Sequence, residues 1–201
     1  MNVGALLVYL VVQGITPGPS NFMSLYTAAT FGFRGGRPYR MGSLTGFCVK
    51  MLLCGLLNML LADVLPDLVP VLKWVGVAYL LYLAVHIIVS GRKQAKQNDD
   101  GNANAPQGLA ATFLGGITLQ VMNIKSWIMG LTAFSMYITP YTTAWTNILF
   151  WTLVMGAIMF ACTLLWAGFG NAMKRVYAKY RLPCDIVFAA ALVYSAISTI
   201  F

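Results

Sequence analysis

Two prolines and two glycines fall in the middle of the first apolar run of this chain. The run Ala5–Val12 leads into Gly14-Ile-Thr-Pro-Gly-Pro-Ser-Asn21, and a second apolar stretch, Phe22–Phe33, follows. Proline lacks an N–H and its ring clashes with the preceding turn, and glycine weakens a helix, so this segment is predicted to be locally unwound. Where such a run crosses a membrane, open backbone persists only if it is buried in protein or lines a cavity. In transporters, discontinuous helices of this kind build substrate and ion sites near the midplane. The competing reading is a kink kept for helix packing. It is the weaker one here, because Thr16-Pro17-Gly18-Pro19-Ser20-Asn21 combines two prolines with a glycine and three hydrogen-bonding side chains.

Composition decides the solvent. Of 201 residues, 59% are hydrophobic and only 9% charged, against about 25% charged in soluble domains. The chain reads as a polytopic, all-α membrane protein. Its net charge of +8 would suggest nucleic acid in a soluble protein, but the basic residues lie between apolar spans, where they set orientation; no nucleic-acid partner is expected. Glutamate is absent. Cys48, Cys54, Cys162 and Cys184 lie within or beside apolar spans and form no C-x-x-C pair, so small apolar packing is their expected role and no metal site is indicated. The start, Met-Asn-Val-Gly, has no basic region of the signal-peptide kind, so the first span is expected to be retained.

Six segments, roughly 4–31, 41–62, 69–90, 109–135, 144–170 and 183–201, approach or exceed the ~20 residues a crossing helix needs. The charges between them alternate. The first connection carries Arg34, Arg37 and Arg40, the third Arg92, Lys93 and Lys96, and the fifth Lys174, Arg175, Lys179 and Arg181. The second is acidic, with Asp63 and Asp67, and the fourth is uncharged. Basic connections stay cytoplasmic, so both termini are expected outside. The hydrophilic linker 91–108 divides a first three-helix unit, 1–90, from a second, 109–201. Three is odd, so the two units enter from opposite faces and any homology between them is an inverted repeat. Gly14-Ile-Thr and Gly116-Ile-Thr are each followed at the same distance by an asparagine, Asn21 and Asn123. The first helix of each half is therefore expected to be discontinuous.

In the second half the counterpart of the break is Gln120-Val-Met-Asn-Ile-Lys-Ser126. A lysine inside a span costs about 2.5–3.5 kcal/mol on insertion scales and usually faces a cavity or a partner, so Lys125 and Asn123 are candidate site residues. Lys50 lies about nine residues into the second span, roughly 13 Å deep at helical rise. It either faces a cavity, where it would pair with a substrate carboxylate or tune Lys125, or snorkels outward. His86, the only histidine, and Asp185 are candidate proton carriers; their plainer roles are packing and an N-cap. Gly42-x-x-x-Gly46 reads as a close helix contact.

These residues resemble the lysine exporter (LysE) family, which includes homoserine/threonine and cysteine/O-acetylserine exporters. Thr16-Pro-Gly-Pro-Ser20 is similar to its T-P-G-P-[NS] motif, Gly32-Phe-Arg34-Gly-Gly36 to its glycine-and-arginine turn, and Asn123-Ile124-Lys125 to its N-P-K motif, with Ile for Pro. The resemblance covers essentially the whole chain. It implies a secondary exporter of small amino acids or their derivatives in the bacterial inner membrane, driven by protons through alternating access, with no cofactor. Thr16, Pro17, Gly18, Pro19, Ser20, Asn21, Asn123 and Lys125 would form the site, with the substrate carboxylate at the helix N-terminus near Ser20 and its ammonium on carbonyls freed by the prolines. Lys50, His86 and Asp185 are the candidates for proton coupling or charge tuning. The expected partners are an amino-acid-like substrate and the bilayer, and a homodimer stays open. Two rival classes remain. A channel or accessory subunit needs fewer special residues; an intramembrane enzyme would need a cluster of acids and histidine that one His and no Glu do not supply. No Walker or dinucleotide motif is present, so ATP hydrolysis by this chain is not expected, and with the resemblance to exporters the chain is not expected to be an enzyme.

Overall fold

The computed structural model describes residues 1–60, 74–89 and 111–200. The acidic second connection with Asp63 and Asp67, and the linker 91–108 with Arg92, Lys93 and Lys96, lie outside the described residues.

Helix α1 (Val3–Ile15) starts where the Asn2 side chain accepts a bond from the Ala5 N–H, and ends against the first proline. Thr16, Pro17 and Gly18 are not helical, and α2 (Pro19–Gly35) restarts with proline at its first position, where a missing N–H costs nothing. The two pieces meet at 49°. Gly32, at φ 77°, turns the chain within the end of α2, a conformation only glycine adopts without strain. Then come α3 (Arg37–Leu60) and α4 (Trp74–Val89). Helix α5 (Phe113–Met122), capped by Thr112, is separated from α6 (Ile124–Thr132) by the single extended residue Asn123, at φ −82° and ψ 95°. With Ile instead of Pro at 124, this second break is one residue long against three in the first. A π-helical turn (Ala133–Ile138) ends α6, and α7 (Trp145–Ala172), α8 (Lys174–Lys179) and α9 (Arg181–Ile200) complete the chain.

All regular elements among the described residues are helical. Arg37–Met59 and Trp145–Ala172 are each long and apolar enough to cross a membrane, and the bent pair α1–α2 makes a third if it is one span. Trp74–Val89 and Phe113–Met122 are apolar but shorter. The outer surface agrees with a lipid solvent: Val8, Phe169 and Val187 are each 65% exposed, and large apolar faces of this kind are rare on soluble monomers.

The most extensive helix contacts join α2 to α7 and α3 to α5. Glycine makes both possible. Gly42 of α3 lies against the Phe113 carbonyl, Gly116 of α5 against the Tyr39 carbonyl, and Gly170 of α7 against the Leu25 carbonyl. Backbone therefore touches backbone, the usual basis of tight association where lipid removes the hydrophobic drive between helices. Three of the four cysteines, all free, use the same logic. Cys48, Cys54 and Cys162 each set a thiol against a glycine of another helix (Gly156, Gly130 and Gly14).

Candidate functional site

The breaks in α1–α2 and α5–α6 lie against each other. Asn123, the one residue between α5 and α6, donates from Nδ2 to Ser20 Oγ at 3.1 Å and to Gln120 Oε1 at 3.4 Å. It thereby ties the first turn of α2 to the end of α5. Its own Oδ1 is buried and has no hydrogen-bond partner. A buried acceptor left without a partner costs about 1–3 kcal/mol, and native structures retain such groups sparingly.

A cavity of about 490 Å³ opens beside this junction. Thr16, Pro17, Gly18, Pro19, Asn123 and Lys125 all line it, and α4 and α9 close its far side with Leu80 and Tyr194. A smaller adjoining pocket of about 40 Å³ is lined by Ser20, Asn21, Asn123 and Lys125 on its polar side and by Phe47, Met129 and Met159 on its apolar side. The structure thus brings together all eight residues singled out at the two breaks.

The carbonyls released by the first break are already occupied. Asn21 Nδ2 donates to Gly14 O at 2.8 Å and Thr16 O at 3.1 Å, and Lys125 Nζ donates to Thr16 O at 3.0 Å and Pro17 O at 3.4 Å. These are the carbonyls on which a substrate ammonium was expected, so protein donors hold that place. Lys125 is half-buried, and its stem packs over Gly18, where an added Cβ would stand 3.3 Å from Lys125 Cδ.

Lys50 resolves inward. It is 1% exposed, and its Nζ donates to the Gln120 carbonyl, to Asn123 O at 3.4 Å and to Ser126 Oγ at 2.6 Å, with the Trp127 ring 5.5 Å away. It faces the second break from behind and lines neither of the two pockets. The snorkelling alternative for Lys50 is therefore excluded.

His86 and Asp185 are not part of this junction. His86 is half-buried on α4 beside the Tyr82 ring, 6.0 Å between centroids. Asp185 is fully buried and accepts from Tyr177 Oη at 2.6 Å, with Arg181 Nε 3.9 Å from its other oxygen. Burial pushes the Tyr177 phenol above its ordinary value, so it stays a donor to that carboxylate. Because α9 begins at Arg181, Asp185 lies inside the helix and is not its N-cap.

Sequence reasoning passed over three kinds of residue. Gln13, one turn before the first break, lines both pockets, and a glutamine in an apolar run was its signal. Phe47, Met129 and Met159 carried no signal, since apolar residues in a span look alike until packed. Arg40, grouped with the orienting arginines of the first connection, is 3% exposed. Its guanidinium bonds the Phe33 carbonyl and lies 4.4 Å over the Phe33 ring, while one nitrogen has no partner.

Comparison with known proteins gives this junction a family. The model of the LysE-type translocators matches residues 11–200. The chain is 32% identical over 193 residues to cysteine/O-acetylserine efflux proteins of Escherichia coli K12 and of Shigella flexneri serotype 5b, covering 96% of this chain and 94% of theirs. The counterpart from Escherichia coli O157:H7 matches to the same extent, 32% over 193 residues. No solved structure matches. These relatives are efflux transporters, not enzymes, and with a family model spanning both helix breaks the chain belongs to the LysE family of membrane translocators.

Proposed function

We propose that this chain is a secondary exporter of small amino acids or their derivatives, of the kind for which its relatives are named, cysteine and O-acetylserine. In this reading the six apolar segments form two inverted three-helix repeats in a bacterial inner membrane, with both termini outside. The pocket at the two breaks is carried to alternate sides of the membrane, with the proton gradient as the energy source.

The observation that carries the reading is the buried, unpartnered Asn123 Oδ1 at the meeting point of two interrupted helices. A zwitterion supplies what that point lacks. Its ammonium donates to Asn123 Oδ1. Its carboxylate lies at the N-terminus of α2, where the first N–H groups have no intrahelical partner and the helix dipole favours an anion. Lys125 has three N–H donors and directs two at the Thr16 and Pro17 carbonyls, leaving one for that carboxylate. A short side chain would rest on Phe47, Met129 and Met159.

The test is counterflow in proteoliposomes, with labelled O-acetylserine outside and a panel of unlabelled amino acids inside. Saturable exchange accelerated by an imposed proton gradient is expected. Flux proportional to concentration, with no acceleration by trapped substrate, would make the protein a pore.

A further inference from the structure

The second break carries a feature that the proposed substrate contacts do not use, on Gln120, Asn123 and Ser126, which also line the smaller pocket. Three oxygens converge there: the carbonyls of Gln120 and Asn123 and the hydroxyl of Ser126. The two carbonyls lie at the C-terminal end of α5, where the helix dipole leaves a partial negative charge, and Ser126 adds its hydroxyl from the first turn of α6. In transporters with broken helices, unwound carbonyls and half-helix C-termini coordinate a coupling cation. Here a side chain fills the place. The Lys50 ammonium reaches all three oxygens from α3 and is sealed from solvent at 1% exposure. Among the described residues, no carboxylate lies within ion-pair distance of it. With no counter-ion, the contacts that hold the buried Lys50 head are these neutral oxygens and the face of the Trp127 ring 5.5 Å away.

We infer that the Gln120, Asn123 and Ser126 oxygens form a monovalent-cation site in which the Lys50 ammonium is a tethered, permanent occupant. The donor set fixes the class. Neutral carbonyl and hydroxyl oxygens without a carboxylate suit an alkali ion and not calcium or magnesium, whose sites use carboxylates. The first break offers the contrast: Lys125 binds the Thr16 and Pro17 carbonyls in the same manner but is half-buried and faces the cavity. The inner lysine holds the second break closed without an ion, while the outer one stands where substrate can meet it. The cation site does not depend on the exporter reading. That reading is needed only for the consequence that this chain transports without alkali ions.

The experiment removes the tether. Lys50→Ala and Lys50→Ser open the space behind the break, and the serine adds a fourth oxygen. Lys50→Met fills the space with no charge. Thermal stability in detergent is measured for each in equal concentrations of sodium, potassium, lithium and choline chloride. Wild type should have one Tm in all four. Lys50→Ala and Lys50→Ser should melt several degrees lower in choline and regain most of that loss, saturably, in at least one alkali chloride. Lys50→Met should be lower in all four. The inference is overturned if the alanine and serine variants ignore every alkali ion, or if Lys50→Met gains as much as they do. It is also overturned if neither small variant folds with alkali chloride present throughout preparation. Stability is read without transport, so a wild type that fails in counterflow refutes the exporter and leaves this result standing.

Discussion

At Lys125 the same side chain has two employers, and their separation is measurable. Its Nζ satisfies the Thr16 and Pro17 carbonyls and also fronts the cavity. Lys125→Met should therefore abolish counterflow and also lower stability, by about 1 kcal/mol, since cavity water replaces part of the lost bonding. Lys125→Arg should keep most of the stability and only part of the transport, because a planar guanidinium presents its donors differently. Paired melting and counterflow on the three proteins check both. A variant that transports normally would remove Lys125 from the site. Arg40 makes a simpler case. Arg40→Met loses a charge-assisted bond to the Phe33 carbonyl and a stacking contact on the Phe33 ring. It should destabilise by about 2–3 kcal/mol, seen as a lower Tm in detergent, and an unchanged Tm would mean that the arginine is only an orienting charge.

At the scale of elements, prolines and glycines do opposite jobs. Pro17 and Pro19 interrupt the first span; replacing both with Ala should join α1 to α2 and restore a continuous helix. Such a helix would re-form its own bonds to the carbonyls now held by Asn21 and Lys125. Membrane insertion should survive and counterflow should not, and wild-type transport by the double variant would reduce the break to a packing kink. Gly42 acts on the outside of its helix. A Cβ there would meet the Phe113 carbonyl, a backbone atom that cannot rotate away. Gly42→Ala should cost about 1–3 kcal/mol, against little at Gly168, where nothing lies within 4 Å. Equal melting points for the two alanine variants would contradict the α3–α5 contact described above.

For the whole molecule, orientation and coupling are one question. Ten basic residues of the first, third and fifth connections are expected to stay cytoplasmic. Reporter fusions after Ser90 and at the C-terminus should then give opposite compartments, cytoplasmic at Ser90 and outside at the end. A reporter active outside at Ser90 would invert the orientation and the direction of export with it. Two lysines, one from each half of the chain, serve opposite breaks: Lys50 holds the α5–α6 break and Lys125 the α1–α2 break. Each half is in this way completed by a cation from the other.

The sequence by itself determined the solvent, the helical class and the place of both interruptions. Those are local or additive properties: apolar content sums along the chain, and Pro17, Pro19 and Gly18 act on their own backbone. It also named the eight residues at the breaks, since polar side chains inside apolar spans stand out against their neighbours. Tertiary structure alone decided what each of them bonds. The rotation of α3 turns Lys50 inward and not toward lipid, and the packing of α6 on the first break gives Lys125 the carbonyls a substrate was expected to use. The same holds for Arg40, which is buried although it reads as a loop charge, and for Asp185, which lies one turn inside α9 and not at its cap. Depth in a span is written in residue number, but facing depends on how helices rotate against one another, and that is settled by contacts between residues far apart in the chain.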